Sequence, residues 1–261
     1  MKKTAIITGG ATGIGRATAE WLARDGMNIV IGDINMPGAE DTAKSILNTT
    51  DSNAVAINTD VGEPQEVKRL IDVAVDRFAR IDVLINCAAD LSQLPTDLDV
   101  VGTDLAVFDR TYQVNFRGAV AGCKYAIPEM IKTGGGSIVN VSSATSLQGD
   151  KERVAYSSLT AATNQLTRSI AVRFGKDNIR CNTVCPGLIL NNDAMLHPPE
   201  EMKSEFLKAI ASPELGVSSN AAELIGFLAS DRAQYITGEL ISIDGGFTKR
   251  VPYYFSLKGP E

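Results

Sequence analysis

Short apolar runs alternate along the whole chain with longer segments of helical period, and that alternation leaves few folds open. The runs are "TAIIT" (4–8), "NIVIG" (28–32), "AVAIN" (54–58), "DVLIN" (82–86), "SIVNV" (137–141), "IRCNTV" (179–184) and "ELISI" (239–243). They are continuous rather than alternating, as strands buried on both faces of a parallel sheet must be. Between them lie an amphipathic stretch from Ile14 to Arg24, a polar helix, and a helix opening at Pro64. A long helix over Leu105–Lys132 is expected to break or end near Pro128. Helices over Arg153–Phe174 and Asn220–Ala229 complete the pattern. Strand–helix alternation with right-handed crossovers predicts an α/β fold, a doubly wound parallel sheet flanked by helices. No linker divides it, so one domain is expected over 1–247, followed by a tail at 248–261.

Composition narrows the function classes. The 261 residues carry a net charge of -6, which opposes nucleic-acid binding through a basic surface. No run approaches the ~18 apolar residues of a membrane span, and the apolar start stops at Thr8-Gly9-Gly10, too short for a signal peptide. Cys87, Cys123, Cys181 and Cys185 each lie in or beside an apolar run, as reduced thiols of a cytoplasmic protein would. The single histidine, His197, falls in a proline-flanked loop, so neither a zinc site nor a Ser-His-Asp hydrolase is expected. No metal is therefore assigned.

"TGGATGIG" (8–15) follows the first strand and opens the first helix, with glycines at Gly9, Gly13 and Gly15. Glycine there permits a tight turn and close approach of a diphosphate, with helix N–H groups aimed at its charge. Asp33 ends the second strand, 18 residues after Gly15. A carboxylate there accepts from an adenosine ribose diol and repels a 2'-phosphate, and no Lys or Arg occupies 10–13 or 34–35. NAD is expected over NADP. Asp60-Val61 and "NCAA" (86–89) follow the third and fourth strands, where ligands bind in such sheets.

The ordered set of motifs resembles the short-chain dehydrogenase/reductase family over residues 4–247: TGxxxGIG at 8–15, "NCAA" at 86–89, Asn115 in "VNFRG", Ser143 in "VNVSS", Tyr156 thirteen residues later, Pro186-Gly187, and "ITGELISIDGG" at 236–246. The resemblance implies a Rossmann-like sheet and a cofactor site built from Gly9, Thr12, Gly13, Ile14, Gly15, Asp33, Asp60, Val61, Asn86, Ala88, Pro186, Gly187 and Ile189. Asp60 and Val61 would lie near the adenine and Asn86 beside the ribose. "PGLILN" would line the nicotinamide, with Asn191 where threonine is frequent. The implied reaction is hydride transfer between nicotinamide and a carbinol or carbonyl carbon. Ser143 would bind the substrate oxygen, Tyr156 would exchange its proton, and Asn115 would hold a relay water.

The family spacing is Tyr-xxx-Lys, because residues i and i+4 share a helix face. This chain has Thr160, preceded by Leu159, and no lysine between Lys151 and Lys176. Threonine offers a hydroxyl to a ribose but no charge. With an ordinary tyrosine pKa near ~10, about 0.1% of Tyr156 would be tyrosinate at pH 7. Alcohol oxidation, which needs that base, should suffer more than carbonyl reduction, which starts from protonated Tyr156. Three functions fit: an NAD-dependent oxidoreductase interconverting a secondary alcohol and a ketone through an altered relay, a cofactor-binding or regulatory protein without fast turnover, and a related enzyme of dehydration or epimerisation.

The family resemblance also places a mobile substrate lid at 188–215, with Met195, Leu196, Phe206 and Leu207 as apolar lining. It implies a homotetramer or homodimer through the helices at 105–132 and 153–174 and the last strand. The tail carries an aromatic cluster, Tyr253, Tyr254 and Phe255, expected to pack on a neighbouring subunit or near the lid.

Overall fold

The computed structural model describes residues 1–191 and 198–249. The strands are β1 (Thr4–Thr8), β2 (Asn28–Asp33), β3 (Ala54–Asn58), β4 (Val83–Asn86), β5 (Gly136–Val141), β6 (Ile179–Pro186), β7 (Ile189–Leu190), β8 (Gly216–Val217) and β9 (Leu240–Ile243). Seven form one sheet in the order β3-β2-β1-β4-β5-β6-β9, with every pairing parallel. Each of the seven apolar runs is a strand of this sheet. The central ones are buried on both faces: Ile6, Ile7, Ile29, Ile31, Leu84, Ile85 and Ile138 have no exposed surface.

The helices are α1 (Gly13–Arg24), α2 (Met36–Thr49), α3 (Pro64–Phe78), α4 (Leu105–Thr111), α5 (Gly118–Lys132), α6 (Val154–Phe174), α7 (Glu200–Ala209) and α8 (Ser218–Ala229). One core layer packs α1, α2 and α8 against the sheet, and the other packs α3, α5 and α6 on the opposite face. Pro64 occupies the first turn of α3, where its missing N–H has no intrahelical role. Among the described residues no helix is long and apolar enough to cross a membrane.

One expectation is corrected. Pro128 neither breaks nor ends its helix: it lies inside α5, beside the buried Ala126, Ile127 and Met130. Packing against α3 outweighs the local cost of a helical proline, ~3 kcal/mol. The irregularity comes earlier, where Tyr112–Arg117 form a π-helical turn around Asn115. The segment expected to be a lid carries regular structure of its own, the helix α7 and a two-stranded parallel pair of β7 with β8. Phe206 of α7 packs on Phe247 with ring centroids 5.6 Å apart. Met195, Leu196, His197 and the tail from 250 onward lie outside the described residues.

Candidate active site

Strand order reverses between β1 and β4, and the carboxyl ends of these two strands open a crevice. The Thr8 hydroxyl joins them, accepting from the Cys87 and Ala88 N–H groups at 3.2 and 3.3 Å. Gly9 has φ +72°, and a Cβ there would stand 2.7 Å from the Ala88 Cα. A Cβ on Gly15 would stand 2.0 Å from the Gly9 carbonyl oxygen, so the turn closes onto α1 only with glycine at both positions. Thr12 is the exposed N-cap of α1 and makes no side-chain capping bond, and Ile14 packs on the core beneath.

Asp33 ends β2 at the rim. Its Oδ2 accepts from the Ala11 N–H at 2.9 Å and its Oδ1 from the Asn35 N–H at 2.9 Å. The carboxylate therefore fixes the glycine loop and keeps lone pairs for hydroxyl donors. Asn191 lies over Gly13: its Nδ2 is 3.2 Å from where a Gly13 Cβ would be, and its Oδ1 is buried with no hydrogen-bond partner. Asp60 Oδ1 accepts from the Gly62 N–H at 2.7 Å, and buried Val61 packs on Gly118. Pro186 ends β6, Gly187 donates to the Ile243 carbonyl at 3.0 Å, and Ile189 stands in β7. A glycine cradle, a rim carboxylate and an orphaned amide oxygen in one crevice fit an adenine dinucleotide.

Asn86, expected beside the ribose, ends β4 at the sheet's carboxyl edge. Its side chain points into the core, donating to Asn140 Oδ1 at 2.8 Å. Asn140 continues to the Thr167 hydroxyl at 2.8 Å, and Thr167 to Thr183 at 2.7 Å. This buried chain ties β4, β5, α6 and β6 together.

The chemical corner forms where β5 ends and α6 begins. Ser143 is buried, and its hydroxyl acts on the phenol of half-buried Tyr156. Ser143 Oγ also accepts from the Thr145 N–H at 3.2 Å and the Thr145 hydroxyl at 3.0 Å. Burial raises the Tyr156 pKa above its ordinary value, while the neighbouring Ser143 hydroxyl and the Arg153 charge pull it partly back. Cys87, whose own thiol burial pushes up to about 12, adds a small upward push.

Asn115 sits in the π turn of Tyr112–Arg117. Its Oδ1 accepts from the Asp90 N–H at 2.7 Å, and Arg110 Nε holds the Asp90 carboxylate at 3.2 Å. Burial pushes that carboxyl upward, but the bonds from Ser92 and Arg110 outweigh it and hold it below the usual range. Thr160 is turned away: buried, its hydroxyl sits 2.8 Å from the Tyr156 carbonyl and 3.0 Å from the Ser157 carbonyl. Its proton serves its own helix, and its carbonyl accepts from the Ser142 hydroxyl at 3.0 Å.

Sequence reasoning missed Asp97. This buried carboxylate accepts from the Ala155 N–H at 3.0 Å and the Tyr156 N–H at 2.8 Å, capping α6 beneath the tyrosine. The only available signal was an aspartate in a polar loop, which does not name its distant partner.

The parallel sheet, its reversal point and the glycine cradle define a dinucleotide-binding α/β protein. A family model described as enoyl-(acyl carrier protein) reductase matches residues 9–248. A probable short-chain type dehydrogenase/reductase of Bradyrhizobium diazoefficiens is 37% identical over 252 residues, covering 97% of this chain and 89% of the relative. The 7alpha-hydroxysteroid dehydrogenase of Bacteroides fragilis is 35% identical, covering 96% of each chain. A solved 7 alpha-hydroxysteroid dehydrogenase, complexed with NADH and 7-oxo glycochenodeoxycholic acid, superposes with TM-score 0.87 at 30% identity, covering 94% of this chain and 93% of that one. The chain belongs to the short-chain dehydrogenase/reductase family.

Proposed function

We propose that the protein is an NAD(H)-dependent oxidoreductase that interconverts a secondary alcohol and a ketone, with Tyr156 as the proton carrier. The observation that supports this best is the placing of the Ser143 hydroxyl and the Tyr156 phenol together, close enough for the serine to draw the phenol's pKa downward. Relatives named as hydroxysteroid dehydrogenases add to it.

Gly9, Thr12, Gly13, Ile14 and Gly15 would hold the diphosphate, Asp33 the adenosine ribose, Asp60 and Val61 the adenine. The Asn86 and Ala88 backbone, Pro186, Gly187, Ile189 and Asn191 would border the nicotinamide half. When bound, NAD(H) supplies the hydride donor or acceptor. Ser143 donates its hydroxyl proton as a hydrogen bond to the substrate oxygen, since the Thr145 N–H and hydroxyl already fill its acceptor side. Tyr156 Oη gives its proton to a carbonyl oxygen in reduction and takes one from a hydroxyl in oxidation. With its pKa raised, Tyr156 is protonated at neutral pH and starts in the form that reduction needs. Thr160 contributes no charge, so oxidation is the slower direction near neutrality and accelerates with pH.

Titration of NADH and NADPH into the protein and into Thr160→Lys, followed by nicotinamide fluorescence, tests the cofactor assignment. Tight NADH binding by the unmodified protein supports it. NADPH preference overturns the role of Asp33. Binding by neither protein favours a non-enzymatic role.

A further inference from the structure

We propose that Arg110 is a positioning residue for the proton relay: its guanidinium clamps Asp90, and the Asp90 main chain holds the Asn115 side chain. The inference deepens the oxidoreductase reading and rests on it, since it takes Asn115 as the residue that holds the relay water.

The Asn115 amide is fixed at both ends by one residue. Its Oδ1 accepts from the Asp90 N–H at 2.7 Å, and its Nδ2 donates to the Asp90 carbonyl at 3.4 Å. An amide paired with the N–H and the carbonyl of the same residue can neither flip nor swing without breaking both bonds. The position of Asn115 therefore follows that of Asp90, which lies in the irregular loop after β4. Asp90 Oδ1 accepts from the Ser92 N–H at 2.9 Å and the Ser92 hydroxyl at 2.6 Å, bonds internal to that loop. Asp90 Oδ2 accepts from Arg110 Nε at 3.2 Å, and this bond ties the carboxylate to a helix.

Arg110 lies in α4, and Asn115 lies in the π turn that follows it. In a regular α-helix, residues five apart point about 140° away from each other. A π turn hydrogen-bonds residues five apart and so brings them toward one face. One helical segment thus grips Asp90 twice, by its carboxylate from Arg110 and by its main chain from Asn115. The same guanidinium reaches the loop after β3. Its Nη1 stands 3.9 Å from Asp60 Oδ2, and a Cβ on Gly62 would stand 3.3 Å from that nitrogen. Arg110 therefore sits between the loop proposed to meet the adenine and the loop that holds Asn115. A half-exposed ion pair contributes little to stability, so what this one supplies is the geometry of the relay.

The test compares Arg110→Met, Arg110→Lys, Asn115→Ala and the double variant of Arg110→Met with Asn115→Ala. NADH-dependent reduction of a panel of ketones gives kcat and KM, and nicotinamide fluorescence gives NADH affinity. Arg110→Met is expected to lower kcat about tenfold while NADH affinity stays within about threefold, as a misplaced relay group would. Arg110→Lys keeps the charge and is expected to recover most of that loss. The double variant is expected to be no slower than Asn115→Ala alone, because both changes break one chain of contacts. An unchanged kcat in Arg110→Met or in Asn115→Ala, or losses that multiply in the double variant, overturns the proposal. Hydrogen exchange at the Asp90 amide reads the clamp without turnover: exchange about tenfold faster in Arg110→Met is expected, and equal exchange overturns the clamp. Failure of the unmodified protein to bind NADH would instead sink the oxidoreductase reading and leave the exchange comparison intact.

Discussion

The carboxylate of Asp97 receives the backbone N–H of Tyr156 at 2.8 Å across 59 residues of chain. A helix leaves its first N–H groups without intrahelical partners, and here a buried loop carboxylate satisfies two of them. The negative charge also complements the positive end of the helix dipole. The side chain that would carry the proton is thereby positioned from a different segment.

Asp97→Ala should lower unfolding stability by about 1–3 kcal/mol, since it leaves two buried N–H groups without an acceptor. Asp97→Asn retains an acceptor and should lose less. Urea denaturation followed by circular dichroism checks the order; equal losses would mean the carboxylate is not the cap.

Thr160→Val should leave NADH affinity and turnover within a few-fold of the unmodified protein, because the hydroxyl it removes serves the helix carbonyls. A loss of NADH affinity of about tenfold, 1.4 kcal/mol, would show that this hydroxyl reaches the cofactor.

Thr160→Lys should move the pH profile of alcohol oxidation to lower pH by about one to three units, because a nearby cation favours tyrosinate. The Tyr156 pKa is raised in the folded protein, so the unmodified enzyme should oxidise faster as pH climbs toward and beyond the ordinary tyrosine value. Initial rates on a panel of secondary alcohols measure both profiles; coincident profiles would refute the altered relay.

Asp33→Ala should weaken NADH and narrow or reverse the preference over NADPH, since it removes an acceptor for the ribose diol and a repulsive charge together. Parallel fluorescence titrations read the ratio. A ratio that does not move would assign Asp33 to the glycine loop alone, through its bonds from Ala11 and Asn35.

Cys123 contributes a pH-dependent stability. Burial pushes its thiol up to about 12 from 9.0, partly offset by the Asn86 hydrogen bond. A raised folded pKa means stability that is fully present below the unfolded value near 9 and is lost as pH rises toward about 12. Cys123→Ala should flatten the alkaline fall in unfolding free energy by up to about 1.4 kcal/mol per pH unit. An identical alkaline slope in the two proteins would refute the buried-thiol contribution.

The seven strands, the first helix to within a residue of its start, the helix opening at Pro64, and the glycine turn were legible because each is written in a contiguous stretch. A run such as "TAIIT" is apolar on both faces, and "TGGATGIG" places glycines where a backbone must turn. The π turn around Asn115 was not legible, because the bond that accompanies it comes from Asp90 in another segment. Pro128 misled for the opposite reason: its local cost is visible in sequence, and the packing that absorbs it is not.

The sequence by itself determined the parallel α/β architecture, the family, and the absence of a lysine at 160, because hydrophobic period and motif spacing are local properties of the chain. Only the tertiary structure decided that Asn86 turns into the core, that the Thr160 hydroxyl bonds its own helix, and that Asp97 supports both Arg153 and Tyr156. Side-chain direction depends on which partners folding brings within hydrogen-bond distance, and those partners are tens of residues away in sequence.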